Sequence, residues 1–360
     1  MKRKIAFLLI IVVLASLVIS ACGSTKTNQP ASPKAPANTS TTNSPSTEKK
    51  FTLKLAGIKT ENDPATLAME RFAEIVNSNT SANITVKTFP NSVLGSVNDM
   101  LSGMPNGITD MFYNTLSCYS WLEGAKKFNA VAAPFIWNSH DELQAFLDSD
   151  IAKGWFEEAA ASTGVRVLAA AGELPPRQLT ANRPIRSAAD FEGLKIRTAE
   201  SALVQQTMKK LGATPVVIPF ADLYMALRQG TVDAQENNFI TVKNNSLYEV
   251  QKYFMKTDYI RDVSAIFISE NIWKQLSPNQ QAVLQEAARK AVNYEAELIA
   301  ASMDETMKFL NEHMTYVEID VKSIRDKLGA NFYKEIDDAG GLWPTGTIDK
   351  ILEFKANYNK

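Results

Sequence analysis

The chain has 360 residues, more than one ordinary core holds, so two domains are expected once a leader is set aside. Its hydrophobic fraction of 45% and charged fraction of 21% are those of a soluble globular protein. The net charge is -1, and because Lys2, Arg3 and Lys4 lie in residues 1–21 without any acid, the remainder carries -4, which leaves no electrostatic footprint for nucleic acid.

Residues 1–22 read MKRKIAFLLIIVVLASLVISAC. A basic start followed by the apolar run from Ile5 to Ile19 is the order of a secretory signal peptide, and the run is short for a membrane span of about 20 residues. Its end, Ile19-Ser20-Ala21-Cys22, resembles a bacterial lipobox, which would remove residues 1–21 and leave Cys22 as a lipidated first residue. The alternative is a retained anchor helix with an incidental cysteine. Either way the body lies outside the cytoplasm, held at the cell membrane. Cys118 then has no partner for a disulfide and is expected in the core as a small hydrophobe. Residues 22–50 are rich in Ser, Thr, Pro, Asn and Ala, with no aromatic or large aliphatic side chain, and read as a disordered tether.

From Phe51 onward strands and helices alternate. FTLKLAG (51–57), NITVKTF (83–89), TDMFYNT (109–115) and VRVLAAA (165–171) read as strands. Residues 64–80 read as a helix with Asp63 as cap and Pro64 in the first turn. Residues 140–163 read as one helix ended by Gly164. The short strands RQLTANRP, LKIRT and PVVIP surround a helix over 201–212. VSAIFIS (263–269) is a continuous apolar run, expected of a strand buried on both faces. Ser277-Pro278 then opens a helix running to about residue 311, with Leu284, Ala287, Ala291, Tyr294 and Leu298 on one stripe. The repetition predicts an α/β architecture with largely parallel sheets.

Enzyme signatures are absent: there is no GxSxG, HExxH, CxxC, Walker loop or GxGxxG. His140 and His313 sit at a helix start and a helix end, with no metal or triad neighbours in sequence. No catalytic residue, metal or cofactor is expected. The suspicious residues gather between Arg177 and Asn238. Arg197 ends a short strand, and in an α/β fold that position opens onto a crevice. A guanidinium there suits a carboxylate, which it binds through two parallel hydrogen bonds.

This stretch resembles the solute-binding subunit of TRAP transporters, the DctP-type family. The matching runs are NRPIRSAADFEGLKIRTAES (182–201), LGATPVVIPFADLYMALRQGTVDAQENN (211–238) and YEVQKYF (248–254), with AAPFIWNSHDEL (132–143) before them. The resemblance implies a two-lobed periplasmic-binding-protein-like fold with hinge strands and a long helix spanning both lobes. One lobe would take residues 51–174 and 263–302, the other 175–262 and 303–360. It also implies the site. The carboxylate clamp falls on Arg197, a second binding arginine on Arg177, the pocket aromatic on Phe220, and an asparagine in a turn on Asn237. The sequence departs from the family pattern beside that turn, at Ala234 and Asn238. Lys59, Asn114 and Trp121 lie in the segments expected to supply the other lobe's contacts. Glu236 is expected to pair with a structural arginine rather than with an anionic solute. The implied function is capture of a small organic acid by a monomeric extracytoplasmic receptor, which delivers it to membrane permease subunits. A receptor presenting ligand to a membrane sensor kinase is the alternative.

Overall fold

The computed structural model describes residues 48–358. The expected signal peptide, the Cys22 lipidation site and all but the end of the tether lie outside the described residues.

Val263–Ser269 is buried along its whole length, which explains a strand with no charged residue. It is one of eleven strands among the described residues: β1 (Phe51–Ala56), β2 (Ile84–Phe89), β3 (Met111–Thr115), β4 (Val165–Glu173), β5 (Gln178–Ala181), β6 (Lys195–Thr198), β7 (Thr214–Val217), β8 (Ala234–Asn237), β9 (Tyr253–Met255), β10 (Val263–Ser269) and β11 (Thr315–Tyr316). They form a five-stranded sheet, β2-β1-β3-β10-β4, and a six-stranded sheet, β11-β9-β5-β8-β6-β7. The expected parallel pairing holds for most strands, but both sheets are mixed. β10 runs antiparallel to β3 and β4, and β5 antiparallel to β8 and β9. The cause is the chain path. β4 leads straight into β5 through residues 174–177, and β9 returns to β10 through 256–262, so each crossing strand enters its new sheet against the others. The two crossings are joined by a hydrogen bond from Arg177 N to Ile260 O at 2.9 Å. The remaining strands of both sheets therefore point their carboxyl ends at the crossings, where ligand crevices of α/β proteins form.

Helices fill the connections: α1 (Pro64–Ser78), α2 (Val97–Gly103), α3 (Lys127–Val131), α4 (His140–Leu147), α5 (Asp150–Thr163), α6 (Ala202–Leu211) and α7 (Leu223–Arg228). They continue with α8 (Phe239–Asn244), α9 (Glu270–Trp273), α10 (Pro278–His313), α11 (Val321–Leu328), α12 (Phe332–Ala339) and α13 (Thr347–Tyr358). Asp63 caps α1, its side chain accepting from Ala65 N, as the sequence predicts. The single helix expected over 140–163 is two. Ser149 interrupts it in extended conformation and caps α5, and Gly164 ends α5 in the left-handed region at φ 72°.

α10 is 36 residues long and enters two cores. Leu284, Ala287, Ala288, Ala291 and Val292 pack with β1, β3 and β10, while Leu310 packs with Phe239 and Phe254 of the second sheet's side. α10 lies so close to β4 that a Cβ on Gly172 would stand 2.4 Å from Val292 O, and Gly172 also has φ +83°. The tail touches both sides of the crossings. α11 contributes Ile324 and Leu328 to a core shared with Leu203 and Met208 of α6. α13 lies on α4, with Phe354 edge-on to Phe146 at 5.3 Å and Lys355 Nζ 2.7 Å from Glu142. Cys118 is buried and free of disulfide, its Sγ donating to Thr115 O at 3.0 Å.

Candidate functional site

A cavity of about 110 Å³ lies where the strand ends of the two sheets face each other. Each wall follows from the topology. β1 ends just before Lys59, β3 ends at Asn114 and Thr115, and β6 ends beside Arg197 and Glu200. Phe220 follows β7, and β8 ends on Asn237; all of these residues border the cavity. Arg177, in the first crossing, borders it as well. The sequence-predicted residues Arg197, Arg177, Phe220 and Asn237 are thus brought to one place, and Lys59, Asn114 and Trp121 face them. Trp137 is core, with its indole N–H donating to Val131 O at 2.7 Å.

Arg197 is 2% exposed. Its Nε donates to Ile218 O at 2.8 Å, and no acidic side chain among the described residues lies within ion-pair distance of it. Burial therefore pulls the guanidinium down to about 10, with Arg177 adding to the effect and Glu236 opposing it. An arginine so placed is a charge stripped of water and given no counter-ion, which costs free energy until an anion arrives.

Arg177 differs. Its Nε donates to Glu236 Oε2, and its Nη2 donates to Glu236 Oε1 and the Glu236 carbonyl, both at 2.8 Å, and to Asn237 Oδ1 at 3.2 Å. Burial works against its charge, yet Glu236 holds its pKa above the ordinary value. Tyr259 OH donates to the same carboxylate at 2.6 Å. Arg177 is therefore the arginine that Glu236 pairs with, and it ties β8 to the crossing. Asn237 also donates from Nδ2 to Gln235 Oε1 at 2.6 Å. The expected turn at Asn237 is the end of a strand. Asn238 stops that strand by capping α8, its Oδ1 accepting from Thr241 N at 2.8 Å.

On the facing wall Lys59 was legible only as lying in an expected segment, and Asp63 and Glu295 were not legible as site residues. Lys59 reaches across the cavity, donating to Thr241 Oγ1 at 3.0 Å with its ammonium 4.3 Å from the Phe220 ring centre. Burial lowers its pKa, Asp63 and Glu295 oppose that, and Arg177 and Arg197 reinforce it. Asp63 is 3% exposed; Oδ1 caps α1, while Oδ2 is buried without a hydrogen-bond partner. Glu295 is 5% exposed and stands on α10. Its Oε2 accepts from Tyr113 OH at 2.7 Å and Ser264 Oγ at 2.5 Å, and Oε1 meets no donor among the described residues. Burial pushes its carboxyl up to about 7, against the pull of those two hydrogen bonds. A signal for Glu295 did exist: it falls four residues after Ala291 on the buried stripe, where an acid has no packing reason to be. Among the described residues no group of three or more His, Cys, Asp or Glu side chains is placed to hold a metal ion.

The sequence profile of the bacterial extracellular solute-binding proteins, family 7 (DctP), matches residues 55–336. A solute-binding protein of Roseobacter denitrificans is 31% identical over 293 residues, covering 79% of this chain and 88% of its own. The 2,3-diketo-L-gulonate-binding periplasmic protein YiaO of Escherichia coli is 29% identical over 289 residues, 78% of this chain and 87% of that one. The crystal structure of a TRAP periplasmic solute-binding protein from Roseobacter denitrificans with bound L-galactonate superposes with a TM-score of 0.75 at 28% identity, covering 85% of this chain and 99% of the other.

Proposed function

Because the chain belongs to the bacterial extracellular solute-binding proteins of family 7, extracytoplasmic receptors that deliver small acids to TRAP transporters and are not enzymes, we propose that its cleft closes on an organic acid whose carboxylate is held by Arg197. The observation that carries this is the buried guanidinium with no acidic partner. Its free nitrogens match the two oxygens of a carboxylate, and a pair formed at this buried position is screened less than one in bulk water. Arg177 acts one step back: held by Glu236, it adds positive potential and fixes Asn237 at the cavity edge. Phe220 supplies the apolar wall.

The lobes of this reading are residues 51–174 with 263–302, and 175–262 with 303–360, except that α13 sits on α4. The crossings at 174–177 and 256–262 are the hinges, and α10 spans both lobes. A lipid anchor on Cys22 keeps the receptor beside its permease.

The test is a panel of organic acids and matched neutral polyols, read by thermal shift and solution scattering. A cognate acid at 100 times its dissociation constant adds about 2.7 kcal/mol of stability. It should also shrink the radius of gyration as the cleft shuts. Stabilisation by neutral polyols equal to that by acids would overturn the carboxylate reading.

A further inference from the structure

We propose that residues 315–358 form a strap across the crossings, and that Arg325 on this strap is a positioning residue that favours the closed cleft without touching the solute. The inference rests on the closure reading above and adds a further place where the lobes are tied.

The strap changes lobes along its length. Its first part is bound to the lobe of the second sheet: β11 pairs with β9, and Ala188 N donates to Ser323 Oγ at 2.9 Å. Its last part is bound to the lobe of the first sheet: Tyr333 OH donates to Pro134 O, Asn129 Nδ2 donates to Leu342 O at 2.8 Å, and α13 lies on α4. The change follows Gly329, which ends α11 with φ 89° and ψ 153°, a combination open essentially to glycine alone. None of residues 315–358 borders the solute cavity.

Two side-chain contacts join parts of the molecule that belong to opposite lobes. Arg325, on α11, holds its guanidinium carbon 4.0 Å from the ring centre of Phe135. Lys210, on α6, reaches Glu335 of α12, Nζ to Oε2 at 3.0 Å. Phe135 is the sharper observation. Its φ is 60°, a left-handed conformation that bulky side chains rarely adopt and that persists only where the surroundings enforce it. Three parts of the molecule enforce it here. Its N–H donates to Tyr259 O of the second crossing at 2.6 Å, the carbonyl before it takes the Tyr333 hydroxyl, and its ring lies against Arg325. Lobe, crossing and strap therefore meet at one strained residue. A hinge motion at Tyr259 must move Phe135 against Arg325, because ring and guanidinium ride on different lobes. Their contact is made while Lys59 and Thr241 join the cleft walls, so it adds to the closed state and shifts the balance toward it. Arg325 is exposed, so its removal opens no cavity and leaves no buried charge.

The full chain in mild detergent is read by amide hydrogen exchange without solute, and by calorimetry and stopped flow with the acid that binds best in the panel. Arg325→Ala should weaken that acid about two- to five-fold, the worth of an exposed cation–ring contact, mostly as faster release. Arg325→Lys keeps a cation over the ring and should recover most of the loss. Lys210→Ala should add a smaller loss of its own in the double variant, since the two contacts are separate. Without solute, exchange at the cleft rim, residues 58–62 and 218–224, should quicken in Arg325→Ala while α5 and β10 keep their wild-type rates. Affinity and rim exchange both within about 1.5-fold of wild type overturn the strap and leave carboxylate capture intact. Faster exchange confined to α11–α13 also overturns it, as does an Arg325→Lys variant no better than Arg325→Ala. If no acid of the panel binds, the carboxylate reading fails on the panel and rim exchange alone judges the strap.

Discussion

Replacing Arg197 with alanine tests the centre of the site, and its size can be worked from the geometry. In the folded protein burial pulls the guanidinium down to about 10, well below its ordinary value. At about 1.4 kcal/mol for each tenfold step in proton affinity, burial has withdrawn about 3 kcal/mol from the charged form. A carboxylate that pairs with it returns that free energy, and truncating one member of such a pair costs roughly 2–5 kcal/mol. Arg197→Ala should therefore weaken the cognate acid by about thirty-fold to several thousand-fold. Arg197→Lys should recover only part, because an ammonium lacks the planar fork. Without solute, Arg197→Ala should stay within about 1 kcal/mol of the wild type: it loses one hydrogen bond, to Ile218 O, and relieves an unpaired buried charge. Calorimetry with the cognate acid and denaturation without it measure both arms. Affinity within about three-fold of wild type would refute the clamp. A large loss of solute-free stability would refute the claim that the charge is held there at a cost.

Glu295 keeps its proton to about pH 7 when folded, against 4.5 ordinarily, so between those values the folded protein holds a proton that the unfolded chain has released. The stability it contributes is complete below about pH 4.5 and declines by about 3 kcal/mol as pH rises to 7, with Asp63 steepening and Lys59 softening the loss; denaturation of solute-free Glu295→Gln at pH 5, 6, 7 and 8 should show a flatter profile than wild type, and parallel profiles would contradict this. Cys22→Ser should release the full chain from membranes or leave it unprocessed, as read by detergent partitioning and mass, and an unchanged distribution would remove the lipid anchor.

How much of this was legible follows from which signals are local. β1 to β7 and β10 could be read from their residue patterns, and α10 from Ser277-Pro278 and a three-four spacing, because those depend on neighbours in sequence, whereas β8, expected as a turn, and the short β9 and β11 could not. Arg197 was legible because the KIR run carries the family resemblance, which places the clamp there; its strand-end position agrees with a crevice but reads by itself as readily as a surface charge. What failed depends on distant partners. The antiparallel courses of β5 and β10 follow from where the chain crosses, which strand composition does not record. Ser149 reads like any polar residue in a helix until its side chain turns to cap α5. Asp63 was visible as a cap but not as an acceptor in the cavity, since only one of its oxygens is used locally. Arg177 and Glu236 are 59 positions apart, so nothing in sequence showed how completely the first is committed to the second.

In the proposed reading the same arrangement makes binding and closure one event. Lys59 comes from the loop after β1 and meets Thr241 and Phe220 on the other side of the cavity, so its contacts exist only when the two walls are together. In that position it is partly buried and feels the positive charge of Arg197 and Arg177. Closing an empty cleft thus brings cations toward one another in a medium that screens them poorly, and it leaves Asp63 Oδ2 buried without a donor. An anion between Arg197 and Lys59 reverses the sign of the first effect, and a hydrogen-bond donor on its tail answers the second. A ligand shifts a conformational equilibrium only by its difference in affinity for the two states. Here that difference is built from groups on opposite walls, which a solute can join only in the closed form. Tight binding and closure therefore rest on the same few side chains.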